Sequence, residues 1–381
     1  MNQAVPPPPI PFIDLGAQRR RLGTKIDEAV ARVIESGAFI MGPEVGRLES
    51  DLAAFCGAKH VISCASGTDA LALVLMAKEV GPGDAVLCPS FTFAATAEVV
   101  AWLGATPVFV DVHEDTFNID PASLEAALKT ARAKGLNPVG VIAVDLFGQP
   151  ADYGTIVPFC EREGLWLLDD AAQGWGGTYK GRRIGTFGAA TATSFFPAKP
   201  LGAYGDGGAI FTDDTELDSV LRSLRVHGQG SDKYDNVRIG MTGRLDTIQA
   251  AVLIEKLKIF EDEIAARNAI ACRYDEGLAE VAKVPFVLDG CTSTWAQYTI
   301  RVAPERRDSI AASLKARGIP TAVYYSKPLH QQTAYKTFPI GGNGLPVTDR
   351  LAQEVISLPM HPYLDEATQA RIIDAVRTAL A

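Results

Sequence analysis

The 381-residue sequence has no C-x-x-C pair, no basic block and no apolar run approaching the roughly 18 residues of a membrane span. Each absence removes a class of protein. Six cysteines (Cys56, Cys64, Cys88, Cys160, Cys272, Cys291) are scattered through apolar stretches, which points to buried free thiols in a reducing cytoplasm rather than to zinc ligands or disulfides. Five dispersed histidines offer no metal-ligating cluster. A net charge of −9 without a basic block argues against nucleic acid or an anionic membrane as the main partner, while leaving room for a local cationic pocket. The opening MNQAVPPPPIPF carries neither the basic nor the apolar region of a secretory signal, so a cytoplasmic location is expected. Pro6 to Pro9 predict a short polyproline leader, with the fold beginning at Phe12.

What remains is the composition of an ordinary globular enzyme, 47% hydrophobic and 21% charged, in a chain long enough for two domains. From residue 40 to about 212, apolar runs without polar alternation (60–64, 85–88, 107–112, 139–146, 165–170) read as strands of a sheet covered on both faces. Helical patterns near 67–80, 92–103, 121–134 and 151–163 separate them, with Pro121 at one start and Gly81, Gly104, Gly135 and Gly164 after the ends. Strand–helix alternation of this kind predicts an α/β domain with a mainly parallel sheet. A long helical pattern over 244–280 reads as a connector. Beyond it, strands (VPFVL, QYTIRV, PTAVYY) and helices near 306–317 and 364–380 predict a small α+β domain. The expected division is 12–250 and 251–381.

Ligands of open α/β sheets sit beyond the carboxyl ends of the strands, and three segments land there. Ser66-Gly67-Thr68 follows a strand and opens a helix, which suits a phosphate or a plain N-cap. Asp169 and Asp170 end a strongly apolar strand, so a carboxylate there serves either as a loop cap or as counter-charge to a bound cation, with Gln173 as a nearby amide donor. Lys199 stands between Pro197 and Pro200 beside Phe195 and Phe196, surroundings that lower a lysine pKa and favour a Schiff base. Phosphate donors, a carboxylate for a pyridine nitrogen and an amine are together what pyridoxal phosphate requires.

The blocks PFIDL, MGPEVGRLE, SGTDAL, PSFTFAATAEVV, DDAAQ, SFFPAKPLGAYGDGG, LRVHGQ, RLDTIQAAVL and SLPMHPYL resemble the DegT/DnrJ/StrS nucleotide-sugar aminotransferases, a branch of the fold-type-I pyridoxal-phosphate enzymes. The resemblance runs from Phe12 to near the C-terminus. It implies that Lys199 bonds the cofactor and shuttles a proton, and that Asp170 pairs with the pyridinium. Gln173 would bond the phenolic oxygen, Phe93 would stack on the ring, and Ser66, Gly67, Thr68 and Ser194 would contact the phosphate. It also implies a homodimer in which a G-x-N-x-R segment of the partner sends an Asn to the phosphate. Here that segment reads Gly240-Met241-Thr242-Gly243-Arg244, so Thr242 takes the Asn position with a single short hydroxyl.

The reaction implied is amino transfer from L-glutamate to a keto sugar nucleotide. The blocks lie closest to enzymes that aminate UDP-2-acetamido-2-deoxy-3-oxo-glucuronate for surface polysaccharides, lipopolysaccharide among them. A diphosphate and a uronate call for cations, and the candidate substrate contacts are Arg225, His227, Arg238, Lys327 and His330, with Tyr324 where a histidine is expected. The alternatives are a dTDP-3-keto-6-deoxyhexose aminotransferase and a cofactor-binding regulator without turnover. A dehydratase of the same family is disfavoured, because it would carry histidine in place of Lys199.

Overall fold

The computed structural model describes residues 10–232 and 234–381; the leader expected at Pro6 to Pro9 lies outside them. The unbroken apolar runs form strands β1 (His60–Cys64), β2 (Asp84–Pro89), β3 (Thr106–Val110), β4 (Asn137–Val144) and β5 (Trp166–Asp170). A two-stranded ribbon, β6 (Thr178–Tyr179) and β7 (Arg182–Arg183), precedes β8 (Ala190–Ser194) and β9 (Gly208–Thr212). The seven-stranded sheet has the order β1-β9-β8-β5-β4-β2-β3. Strands β3, β2, β4, β5 and β8 are parallel neighbours. Strand β9 is antiparallel to β8, and β1 is antiparallel to β9. Two reversals restore the original direction, so β1 ends on the same rim as β2, β5 and β8.

Helices α1 (Leu15–Leu22), α2 (Lys25–Ser36) and α3 (Pro43–Cys56) come first, followed by α4 (Gly67–Ala77), α5 (Ala95–Trp102), α6 (Pro121–Ala133), α7 (Tyr153–Glu163), α8 (Thr215–Leu224) and α9 (Thr247–Leu257). The period-two alternation of each strand sorts its side chains between two cores. Val141, Ala143 and Leu167 pack with residues of α3, α6, α7 and α9. Ile142, Leu168, Ala192 and Ile210 pack with α4, α5 and α8. Both faces are therefore sealed, as the apolar runs demand. The start of α6 follows its sequence signals: Pro121 opens the helix, and Asp120 accepts from the Ala122 N–H at 3.0 Å.

Helix α10 (Phe260–Leu278) leads into α11 (Pro304–Ala316), α12 (Pro346–Glu354) and α13 (Glu366–Leu380), with the antiparallel pair β10 (Tyr298–Arg301) and β11 (Val355–Leu358). Tyr274, Tyr298, Ile300, Leu314, Ile356 and Val376 form their core, which also takes in Ile10 from the start of the chain.

The structure corrects several sequence expectations. The pattern over 244–280 is two helices, interrupted at Lys258 and Ile259. VPFVL and PTAVYY form no strand; extended pairing there is limited to isolated bridges such as Ala322 with Ser357. Four cysteines are buried, but Cys272 is exposed and Cys291 half-buried. Arg225, expected at the substrate, is buried instead. Its guanidinium donates to Glu49 at 2.6 Å and to the Ser63 carbonyl at 2.7 Å. Glu49 also accepts from the Ser63 N–H and from Arg222, both at 2.9 Å. Burial opposes the Glu49 charge, but Arg225 and Arg222 outweigh it and hold the carboxyl below its usual range.

This knot ties α3 and α8 to β1. Arg225→Met would remove one of the two cations paired with the buried Glu49 and leave Arg222 as the other, at a cost of about 3 kcal/mol, the low end for breaking a buried pair. The thermal midpoint of the variant should fall sharply at pH 7. Because the Glu49 pKa is depressed in the fold, the gap should narrow as pH drops below the ordinary glutamate value of about 4.3. Scanning calorimetry across pH measures both effects.

Candidate active site

The rim shared by β1, β2, β5 and β8 gathers residues that are distant in sequence. After β1, the Ser66 side chain accepts from the Asp69 N–H at 3.0 Å and caps α4. The first backbone N–H groups of a helix have no partner within it, so Gly67 and Thr68 offer donors at the rim. A Cβ on Gly67 would lie 2.6 Å from that of Ser194. Only glycine lets the start of α4 close against the end of β8, and that contact brings the Ser194 hydroxyl beside the α4 N-terminus. The result is a cradle of donors for a phosphate-sized anion.

Asp170 ends β5 on the face turned toward α5. Its carboxylate accepts from the Thr96 hydroxyl at 2.8 Å and from the Ala172 N–H at 3.3 Å. Burial raises its pKa, opposed by these donors and by Lys199. Burial likewise lowers the Lys199 pKa, opposed by the Asp170 charge. Asp170 and Lys199 thus act on each other across the rim, as a counter-charge and an amine with an enlarged neutral fraction.

The loop carrying Lys199 is held from several sides. Phe195 donates to the Gly207 carbonyl and Ala203 to the Phe195 carbonyl, both at 2.7 Å, while Lys199 donates its N–H to Phe196 at 2.8 Å. The fully buried Lys256 on α9 donates to the Gly202 carbonyl at 2.6 Å and lies 4.2 Å from the Tyr204 ring centroid. Two turns earlier on the same helix, Gln249 accepts from the Tyr204 N–H at 2.8 Å. Sequence reading missed Lys256, Gln249 and Thr96. Their spacing on helices is the only local signal, and it does not reveal which loop they meet.

Gln173 accepts from the Phe147 N–H at 2.8 Å and donates to the Tyr325 hydroxyl at 3.3 Å. Its amide orientation is therefore set, and Tyr325, also missed, joins the site. Phe93 stands at the rim after β2 with 57% of its surface exposed, unusual for a phenylalanine and available to cover a flat ligand.

The remaining expected contacts divide. His330 is turned inward, with Nδ1 on the Ser90 hydroxyl at 2.8 Å and Nε2 at 3.1 Å from Asp349; burial lowers its pKa, opposed by that aspartate. It ties the 329–331 turn to the β2 rim, and a role as a free substrate cation is corrected accordingly. Thr242 is exposed and meets His227 Nε2 at 2.8 Å within the same chain. His227 holds a left-handed backbone (φ 57°). Arg238 and Lys327 are exposed, and Tyr324 is half-buried with its ring 5.9 Å from that of Tyr325.

Known proteins share this sequence pattern and fold. A UDP-2-acetamido-2-deoxy-3-oxo-D-glucuronate aminotransferase of Pseudomonas aeruginosa is 50% identical over 370 residues, covering 97% of this chain and 99% of its own. A DegT DnrJ EryC1 StrS aminotransferase from Brucella abortus superposes with a TM-score of 0.96 at 53% identity, covering 98% of this chain and 100% of that one. NtdA from Bacillus subtilis, solved with bound cofactor PMP, gives a TM-score of 0.89 at 28% identity over 100% of this chain and 86% of its own. The model of the DegT/DnrJ/EryC1/StrS aminotransferase family matches residues 20–377, and the chain belongs to that family of aminotransferases.

Proposed function

We propose that the protein uses pyridoxal phosphate to transfer an amino group from L-glutamate to the 3-keto group of UDP-2-acetamido-2-deoxy-3-oxo-glucuronate. The pairing of Asp170 with Lys199 at the rim carries the chemistry. The half-identical Pseudomonas relative, named for that sugar, supports the substrate. When bound, pyridoxal phosphate supplies an electron-withdrawing ring that eases removal of a proton from the carbon bearing nitrogen. The cradle of Gly67, Thr68 and Ser194 suits its phosphate, with Ser66 capping the helix that provides the N–H groups. Asp170, charged and capped by Thr96, suits a protonated ring nitrogen. Gln173 suits the phenolic oxygen through its amide N–H, and Phe93 a ring face. Lys199, with its lowered pKa, takes up and returns the proton as general base and acid.

With Arg225 and His330 engaged elsewhere, the exposed Arg238 and Lys327 are the cations left for the diphosphate and uronate, with His227 as a further exposed polar group. We read the chain as a large unit, 12–250, and a small one, 251–381. We also read it as a homodimer with shared sites. Val237 (54% exposed) and Ile239 (91%) flank Arg238, apolar surface of the kind a second copy would cover. The partner's Thr242, oriented by His227, would then approach the cradle.

Three outcomes are expected. Lys199→Ala should lose turnover while still binding cofactor without a covalent bond, and borohydride reduction of the wild type followed by peptide mapping should label Lys199 alone. Asp170→Asn should fold yet lose about 1.5–3 kcal/mol of charge-assisted binding, roughly 10- to 100-fold in kcat/KM. A dTDP-linked 3-keto-6-deoxyhexose, lacking the uronate, should be a poor substrate beside the UDP-uronate, since a desolvated cation would lose its partner. Comparable kcat/KM for the two sugars would reject the uronate assignment and leave the aminotransferase reading in place.

A further inference from the structure

Behind Asp170, on the opposite face of the sheet, two more carboxyl groups are sealed away from water. Asp169 and Asp145 are both fully buried. Asp169 pairs in register with Ala143 of β4, and Asp145 follows two residues later on the same face. Asp145 Oδ1 accepts from the Ala151 N–H and the Tyr153 hydroxyl, both at 2.7 Å. Asp169 Oδ2 accepts from the Thr191 hydroxyl at 3.1 Å. The other oxygens, Asp145 Oδ2 and Asp169 Oδ1, have no hydrogen-bond partner. The packing is tight here, for a Cβ on Gly174 would stand 2.3 Å from the Asp145 Cβ and 2.7 Å from its Oδ2.

An unpaired ionised carboxylate in such surroundings is costly, and two together are costlier. The titratable groups acting on the pair are Tyr153 from α7, Asp170 from β5 and Cys291 from the loop after α10, with Asp152 and Lys180 next to that cysteine. Among the described residues no lysine or arginine forms an ion pair with either acid. Two buried acids on one face of the sheet, each with an oxygen lacking a donor and neither with a cation, are poorly suited to carry two charges.

We propose that Asp145 and Asp169 share one proton, so that the pair carries one negative charge rather than two, and that this single charge sets the background against which Asp170 ionises. The pair is a positioning element: it touches neither substrate nor cofactor. It acts through the strand that presents Asp170, to whose carbonyl the Asp145 N–H donates at 3.1 Å. Burial drives both acids upward, helped by the Asp145 charge at Asp169 and by the Asp170 charge at both, and takes Asp145 to about 7. A raised folded pKa means the contribution to stability is full below the unfolded value of about 3.9 and is lost as pH rises through the folded one. Asp169→Asn removes one acid and supplies an amide donor, so its thermal midpoint should gain on the wild type between pH 5 and pH 8.

The proton sharing does not depend on the cofactor, whereas the effect on Asp170 rests on the function proposed above. Infrared difference spectra of the holoenzyme in D2O at neutral pH test the first. A carboxylic acid C=O band should be present in the wild type and missing from both Asp169→Asn and Asp145→Asn, because either lone carboxylate then ionises beside an amide donor. A wild type without the band, or a single variant that keeps it, overturns the shared proton. Should Asp145→Asn not fold, titrating the band in the wild type and in Asp169→Asn decides the matter. The pH titration of the cofactor's visible absorbance tests the second. Each single variant keeps one charge and should titrate as the wild type does, while the double variant has none and should shift downward by about one unit. An unmoved double variant overturns the link to Asp170. A protein that takes up no cofactor would defeat the proposed function and leave the infrared result standing.

Discussion

A negative charge held at the end of a buried strand is the constraint around which this molecule is arranged. Asp170 has one hydroxyl and one backbone N–H as donors, too little to offset the desolvation of a carboxylate without a cation nearby. Lys199 supplies part of that need in the protein alone, and under the function proposed above a protonated ring would supply the rest. The same burial that penalises the Asp170 charge lowers the pKa of the lysine, so one low-dielectric pocket prepares both groups.

Holding those two groups in register falls to parts with no chemistry of their own. Gly67 lets α4 meet β8, so the free N–H groups of α4 and the strand leading to Lys199 converge. Lys256 and Gln249, from one face of α9, grip the loop on the far side of Lys199. The Glu49–Arg225 knot fixes β1, whose end becomes that cradle, and the Gly243 carbonyl accepts from the Ala65 N–H at 3.1 Å just before it. Loss of any of these would be felt at the site without removing a reacting group.

An acidic chain can still present positive charge locally. His227, Arg238 and Lys327 remain at the surface, while other basic residues in the same segments are consumed by structure. Arg225 balances Glu49, and His330 bridges Ser90 and Asp349. The division follows from burial, since a cation enclosed by the fold and bonded to internal acceptors cannot present its remaining donors to a ligand.

Much of this was legible in the sequence. Strands covered on both faces must be continuous apolar runs, so β1 to β5 could be located within a residue or two. The confined lysine between Pro197 and Pro200 and the acid closing LLDD stood out for similar local reasons. What local pattern cannot carry is which distant segment a residue meets. Nothing in HVISC shows that β1 lies antiparallel to β9 at the sheet edge, nor does RVHGQ show that Arg225 is committed to an acid 176 positions earlier. His330 and Ser90 are 240 residues apart, and VPFVL and PTAVYY have the composition of strands without forming one, PTAVYY pairing only through the bridge at Ala322. Periodicity and side-chain chemistry determined the elements and the reacting groups. Only the tertiary structure decided which charges were buried together, because desolvation depends on what packs around a group rather than on what precedes it in the chain.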